Sequence, residues 1–168
     1  MKRKPTSYSD TPIIWRIDDR LIHGQVIVGW CGQLPIKRLV VCDDEIARNE
    51  WEKNLLQMAA PSDIPAEILT VQACAEKVST WLQEKPITLI LMKSPDVLEK
   101  LLDLNVVIDM VNVGGIHFKE DRKEYLPYLF LSDREVEQFR QLMKRGVHFV
   151  AQDLPNSTPH DLNKLLGE

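Results

Sequence analysis

The sequence contains no apolar run long enough to cross a bilayer. Its most hydrophobic stretch, residues 87–92, is the size of a strand, far short of the roughly 20 residues a membrane helix needs. It has only three cysteines, Cys31, Cys42 and Cys74, widely spaced and set among apolar neighbours. An odd, scattered set excludes a disulfide framework and fits reduced thiols in a cytoplasmic protein. No paired zinc-ligand spacing occurs, and neither a metal nor a bound cofactor is expected. Basic excess is also missing: Lys and Arg number 21 against 25 Asp and Glu, for a formal charge of -4. Nucleic acid is therefore excluded as a main partner. Nor does the first strand lead into G-x-G-x-x-G or G-x-x-x-x-G-K-[ST], which argues against a nucleotide-dependent oxidoreductase.

What remains is ordinary globular material, 168 residues with 44% hydrophobic and 27% charged side chains, enough for one compact core. No repeat, low-complexity tract or internal linker divides it. Residues 1–12 open with a polar, basic segment lacking any signal-peptide stretch and are expected to form a flexible leader. Residues 13–168 then make one domain.

Strand-like and helical patterns alternate along that domain. Strands are expected at 13–17, 38–42, 67–71, 87–92, 110–113, 128–131 and 147–151, where β-branched and aliphatic residues cluster. Helices are expected at 25–33, at 45–59 behind an Asp44 cap, at 74–83, at 96–103 behind Pro95, and at 133–144. The last carries an S-x-x-E capping box, Ser132 and Glu135, and ends at Gly146. A weak helix closes the chain, and a polar loop of about a dozen residues follows Gly115, longer than most connections. The fold class is therefore α/β, a single domain with a mostly parallel sheet and helices on both faces. Ligands of such sheets sit beyond the carboxyl ends of the strands, where strand order reverses. Three loops qualify: 18–25, 93–95 and 114–122.

The first of these concentrates the chemistry. Residues 16–26 read Arg-Ile-Asp-Asp-Arg-Leu-Ile-His-Gly-Gln-Val, a strand end running into a helix start. Helix N-termini present free N–H groups and partial positive charge, which suit a phosphate. Gly24 and Gln25 stand at that start, and Gly24 lets backbone come close to a ligand. Arg20 can clamp phosphate oxygens with two parallel hydrogen bonds. Asp18 or Asp19 can fix an imidazole tautomer, and neutral His23 can accept and release a phosphoryl group. The plainer alternative is a hydrogen-bonded loop histidine, with Arg16 paired to an acid and both aspartates serving as turn residues.

The same string closely resembles the active-site signature of the mannose/fructose/sorbose-type IIB components of the bacterial phosphotransferase system. Ordered satellites support the resemblance: Val41-Cys42-Asp43-Asp44-Glu45, Met58-Ala59-Ala60-Pro61, Asn112-Val113-Gly114-Gly115 and Lys144-Arg145-Gly146-Val147. Together they span about residues 13 to 153. The resemblance implies a phosphotransferase working through phosphohistidine. A IIA protein, charged from phosphoenolpyruvate through enzyme I and HPr, would phosphorylate Nδ1 of His23. The phosphate would then pass to a sugar held by the membrane components IIC and IID, through which alone the chain would meet the membrane. Arg20 matches the arginine that stabilises the transferred group, and Asp18 the acid that organises the loop. The pattern departs after the double glycine, where Lys119-Glu120-Asp121-Arg122-Lys123-Glu124 replaces a glycine followed by basic residues.

Lys93, Ser94, Gly114, Gly115 and His117 are further pocket candidates, each also readable as an ordinary loop residue. His148 reads as structural and His160 as solvated. Trp15, Trp30, Trp51 and Trp81 fit core or partner contacts better than sugar stacking. A different class of function is a regulatory interaction protein, a IIB-like domain phosphorylated as a signal without an intact permease.

Overall fold

Aliphatic and β-branched runs become the strands of one sheet in the computed structural model, which describes Tyr8 and residues 11–167. In chain order they are β1 (Ile13–Ile17), β2 (Ile36–Cys42), β3 (Ala66–Leu69), β4 (Ile87–Met92), β5 (Met110–Val113), β6 (Lys123–Leu126), β7 (Leu129–Leu131), β8 (His148–Ala151) and β9 (His160–Asp161). Seven of them form a sheet in the order β3-β2-β4-β1-β5-β8-β9, and β6 and β7 make a separate antiparallel hairpin. Every pairing in the large sheet is parallel except β8 with β9. All six residues of β4 are buried, as the lack of alternation predicts for a strand covered on both faces.

The helices are α1 (Asp44–Ala47), α2 (Glu50–Ala59), α3 (Val71–Gln83), α4 (Pro95–Asp103), α5 (Asp133–Lys144) and α6 (Leu162–Leu166). Residues 24–33 form a further helix whose central part, Val26–Cys31, is π-helical. One sheet face packs Ile13, Trp15 and Ile17 against residues of α3, α4 and α5, including Cys74, Leu98 and Phe139. The other packs Ile14, Leu39 and Leu89 against Val26 and Trp30 of the first helix and Ile46 of α1. The sheet is therefore covered on both sides.

Three local expectations are corrected. The helix expected over 45–59 is two helices, because caps stand in series: Asp43 accepts from Ile46 N–H, and Asn49 accepts from Glu52 N–H. Asp44 is instead the first residue of α1 and accepts from Val71 N–H at 2.8 Å. The loop after Gly115 is partly ordered, its later residues pairing as the β6–β7 hairpin and Ile116 bridging to β7, with its N–H donating to Tyr128 O and its O accepting from Phe130 N–H, each at 3.0 Å. The capping box at Ser132 and Glu135 forms in full, and Gly146 ends α5 at φ +99°. The leader expected over residues 1–12 lies mostly outside the described residues. Within it, Tyr8 meets Trp30 edge to face at 5.2 Å.

Strand order places the site. The chain leaves β1 for β2, returns to insert β4 beside β1, then adds β5 on the far side of β1. β1 is thus flanked by β4 and β5, and its carboxyl end is the point where strand order reverses.

Candidate active site

Side chains alternate across a strand, so Arg16 follows Ile14 toward the face roofed by the first helix. Both Arg16 and Asp18 are buried, at 1% and 0% exposure. The Arg16 guanidinium lies 4.5 Å from the Trp30 ring centre. It donates to Asn112 Oδ1, to Gln152 O at 2.8 Å, to Asp153 O at 3.1 Å and to Asp18 Oδ2 at 3.2 Å. Asn112 and Gln152 are held in turn by the Tyr8 hydroxyl, which accepts from one and donates to the other. Arg16 is therefore a buried strut, as the ion-pair alternative had it.

Asp18 is the hub. Beyond Arg16, its Oδ1 accepts from Arg20 N–H at 3.1 Å and from Arg20 Nε at 3.2 Å, and its Oδ2 accepts from Arg20 Nη2 at 3.3 Å. His23 Nε2 stands 3.4 Å from the same Oδ2. Burial alone would raise the Asp18 pKa, but the His23 hydrogen bond and the two guanidinium charges outweigh it and hold the carboxyl well below the usual range. Asp18 is thus ionised at neutral pH. An ionised acceptor assigns the imidazole proton to Nε2 and leaves the Nδ1 lone pair free.

The loop is bent to make this possible. Leu21 sits at φ +59°, a left-handed conformation uncommon for a branched side chain, and is held there by burial of its side chain in the core and by a bond from its N–H to Asp18 O. Ile27 N–H then donates to His23 O at 3.0 Å, so His23 stands immediately before the first helix. The leading N–H groups of any helix have no intrahelical acceptor, which leaves those at Gly24 and Gln25 for an anion. Both residues are exposed. Arg20 is 30% exposed, and its Nη1 makes no hydrogen bond among the described residues. Arg16, Arg20 and Asp18 sum to one positive charge beside His23, favourable for an incoming phosphoryl group.

The glycines of the first and third loops play opposite roles. A Cβ on Gly114 would lie 2.2 Å from Arg16 Nη2 and 2.6 Å from Asp18 Oδ2, whereas one on Gly24 would meet nothing within 4 Å. Gly114→Ala should therefore cost about 1–3 kcal/mol through overpacking, read by urea denaturation. Gly24→Ala should leave stability unchanged or slightly higher while slowing phosphoryl transfer several-fold, because its methyl enters the open space beside His23.

The other candidates gather nearby. Gly115 packs under Arg20, 3.1 Å from Nη2 at its would-be Cβ. His117 donates its N–H to Asp19 Oδ2 at 2.8 Å and its Nδ1 contacts Asp19 Oδ1 at 2.6 Å. Asp19, Lys93, Ser94 and His117 line a cavity of about 600 Å³, but His23, Arg20, Gly24 and Gln25 are not among its lining residues. Lys93 and Ser94 make no hydrogen bond or ion pair to Asp18, Arg20 or His23 among the described residues; Ser94 Oγ donates to Asp96. The atypical segment at 119–124 is ordered by Arg122, which grips both Glu135 carboxylate oxygens and donates to His117 O. The sequence reading missed the pairing of Asp19 with His117 and the Asn112, Gln152 and Tyr8 supports; only the position of Asn112 just before the double glycine hinted at them.

The thiols are poorly placed to compete with His23 as nucleophiles, Cys42 and Cys74 being buried. Burial pushes the Cys31 thiol up to about 11, and contact with Cys74, then burial, pushes Cys42 higher still. Thiols act through their thiolates.

Known proteins are similar to this chain along most of its length. The family model described as PTS system sorbose subfamily IIB component covers residues 13–168. A fructose-specific EIIB component of Bacillus subtilis (strain 168) is 29% identical over 154 residues, 92% of this chain and 94% of the relative. A mannose-specific EIIAB component of Escherichia coli (strain K12) is 31% identical over 146 residues, 86% of this chain but only 45% of that longer protein. The crystal structure of manxB from Thermoanaerobacter tengcongensis superposes with a TM-score of 0.80 at 31% identity, covering 93% of this chain and 95% of the other.

Proposed function

The chain belongs to the sorbose subfamily of IIB components of the phosphotransferase system, and from that membership we propose that His23 carries its phosphoryl group on Nδ1. IIB components are phosphotransferases that work with IIA and with membrane IIC components. The donor here is a IIA protein, and the acceptor is a sugar held by IIC together with IID. Among the described residues, no helix is long and apolar enough to cross a membrane. The relatives are specific for fructose, mannose, N-acetylgalactosamine or sorbose, which supports a sugar as the acceptor.

One observation carries the assignment of the nitrogen. Asp18, buried and ionised, faces Nε2 of His23, which leaves Nδ1 as the nucleophile. In-line attack by Nδ1 on the donor phosphorus forms the new N–P bond as the donor's bond breaks. Arg20 and the helix N-terminus take up charge on the equatorial oxygens. Arg20 is preset for this, since Asp18 already holds its Nε and Nη2.

Incubation with phosphoenolpyruvate, enzyme I, HPr and a matching IIA tests the reading. Acid-labile phosphate is expected on the peptide containing His23; label on another residue, or none, would refute it. Arg20→Lys keeps the charge but loses the planar fork, and should slow phosphorylation by roughly 10- to 100-fold, on the order of a lost charge-assisted hydrogen bond. An unchanged rate would remove Arg20 from the phosphate site.

A further inference from the structure

Tyr8 reaches the active site from outside the matched family segment, which begins at residue 13. Its hydroxyl accepts from Asn112 Nδ2 at 2.9 Å and donates to Gln152 Oε1 at 2.8 Å. Only one sense of this relay satisfies every group. Gln152 Nε2 donates to the carbonyls of Pro155 and Ser157, at 3.0 and 2.8 Å, so its Oε1 faces Tyr8 as an acceptor. The phenol commits its single proton there and can only accept from Asn112. That orients the Asn112 amide, with Nδ2 on Tyr8 and Oδ1 on Arg16 Nη1. A guanidinium has donors only, so a flipped Asn112 would set two donors face to face. Burial raises the Tyr8 pKa against the opposing effects of Asn112 and Arg16, which keeps the proton on the phenol. Arg16 Nη2 in turn donates to Asp18 Oδ2, the same oxygen that faces His23 Nε2. An unbroken run of contacts thus links Tyr8 to the imidazole.

We infer that Tyr8 is a positioning residue for His23, its hydroxyl fixing the Asn112 amide and so the Arg16 guanidinium that aims Asp18. This rests on the reading of His23 as the phosphoryl carrier. The action is indirect, since Tyr8 makes no hydrogen bond to Asp18, Arg20 or His23 among the described residues. A second contact does not involve the hydroxyl. The Tyr8 ring meets Trp30 edge to face at 5.2 Å, and the Arg16 guanidinium lies over the same indole. Tyr8→Phe keeps that ring contact and removes the relay, leaving Asn112 Nδ2 without its acceptor and Gln152 Oε1 without its donor.

The assay uses the whole chain and phospho-IIA formed from phosphoenolpyruvate, enzyme I and HPr, at a temperature where urea denaturation shows each variant folded. In Tyr8→Phe the maximal rate of His23 labelling should fall roughly 3- to 10-fold, the size of one neutral hydrogen bond, with the half-saturating IIA concentration within about twofold of wild type. Tyr8→Ala, which also strips the ring from Trp30, should be no faster. In unphosphorylated protein labelled with 15N-histidine, the wild-type His23 ring should hold its proton on Nε2. Tyr8→Phe should move part of the population to Nδ1, a change that lost stability alone would not produce. Wild-type nitrogen shifts in Tyr8→Phe, an unchanged maximal rate, or a defect confined to half-saturation would each overturn the inference. Absence of label on wild-type His23 would instead refute the carrier reading, and the nitrogen shifts would still decide the relay.

Discussion

His23→Ala should abolish phosphoryl acceptance while leaving the protein folded. The ring is only partly buried, at 17% exposure, and Asp18 keeps its bonds to Arg16 and Arg20 when the imidazole is gone. The stability loss is therefore about 1 kcal/mol, that of one hydrogen bond. Activity has no such reserve, since His117, the other histidine of these loops, is paired with Asp19 and makes no hydrogen bond to Asp18 or Arg20 among the described residues. Labelling from phosphoenolpyruvate through IIA should fall to background, with an unchanged circular dichroism spectrum. Residual labelling above a few per cent of wild type would place the acceptor elsewhere.

Asp18→Asn is expected to damage both stability and chemistry. Arg16 would stay charged and buried with only neutral acceptors, Asn112, Gln152 and the Asp153 carbonyl. Breaking a buried pair in this way costs about 3–5 kcal/mol, a fall in Tm on the order of 10 °C. The imidazole would lose the acceptor that fixes its proton on Nε2, and transfer should slow by about 10²-fold or more, as wrong-tautomer variants do. The pH dependence follows from the same carboxylate. Its folded pKa is depressed, so its stabilisation is complete above the unfolded value of about 3.9 and is lost as pH falls below that toward the folded value. Stability of the wild-type chain should therefore decline below about pH 4, and the decline should be shallower in Asp18→Asn. It would not vanish, because Arg122 and Ser132 depress Glu135 against the opposing effect of burial. Equal acid slopes in the two proteins would show that Asp18 is not strongly held.

Residues 87–92 were legible as an interior strand because nothing polar interrupts them, and the site loop was legible because a strand end, acids, bases and a histidine fall within ten positions. The break at Arg48 and Asn49 was not, since Asn49 reads as an ordinary helix residue until its side chain is seen capping Glu52. The hairpin strand Lys123–Leu126 hid behind its charges, which face solvent on a two-stranded ribbon. Contacts across the fold were hidden for a different reason. Asp19 and His117 lie 98 positions apart, and only the insertion of β5 beside β1 brings them together. Arg16 was legible only in part: its pairing with an acid was readable, but its burial was not until Trp30, Asn112 and Gln152 are seen enclosing it.

The most direct test of the account is which nitrogen of His23 bears the phosphate. Protein labelled with 15N-histidine, phosphorylated through IIA and observed by NMR, should show phosphorus coupled to Nδ1 of His23 and a retained proton on Nε2, toward Asp18. Phosphate on Nε2 would mean that Asp18 does not set the tautomer, and phosphate on any other residue would contradict the account outright.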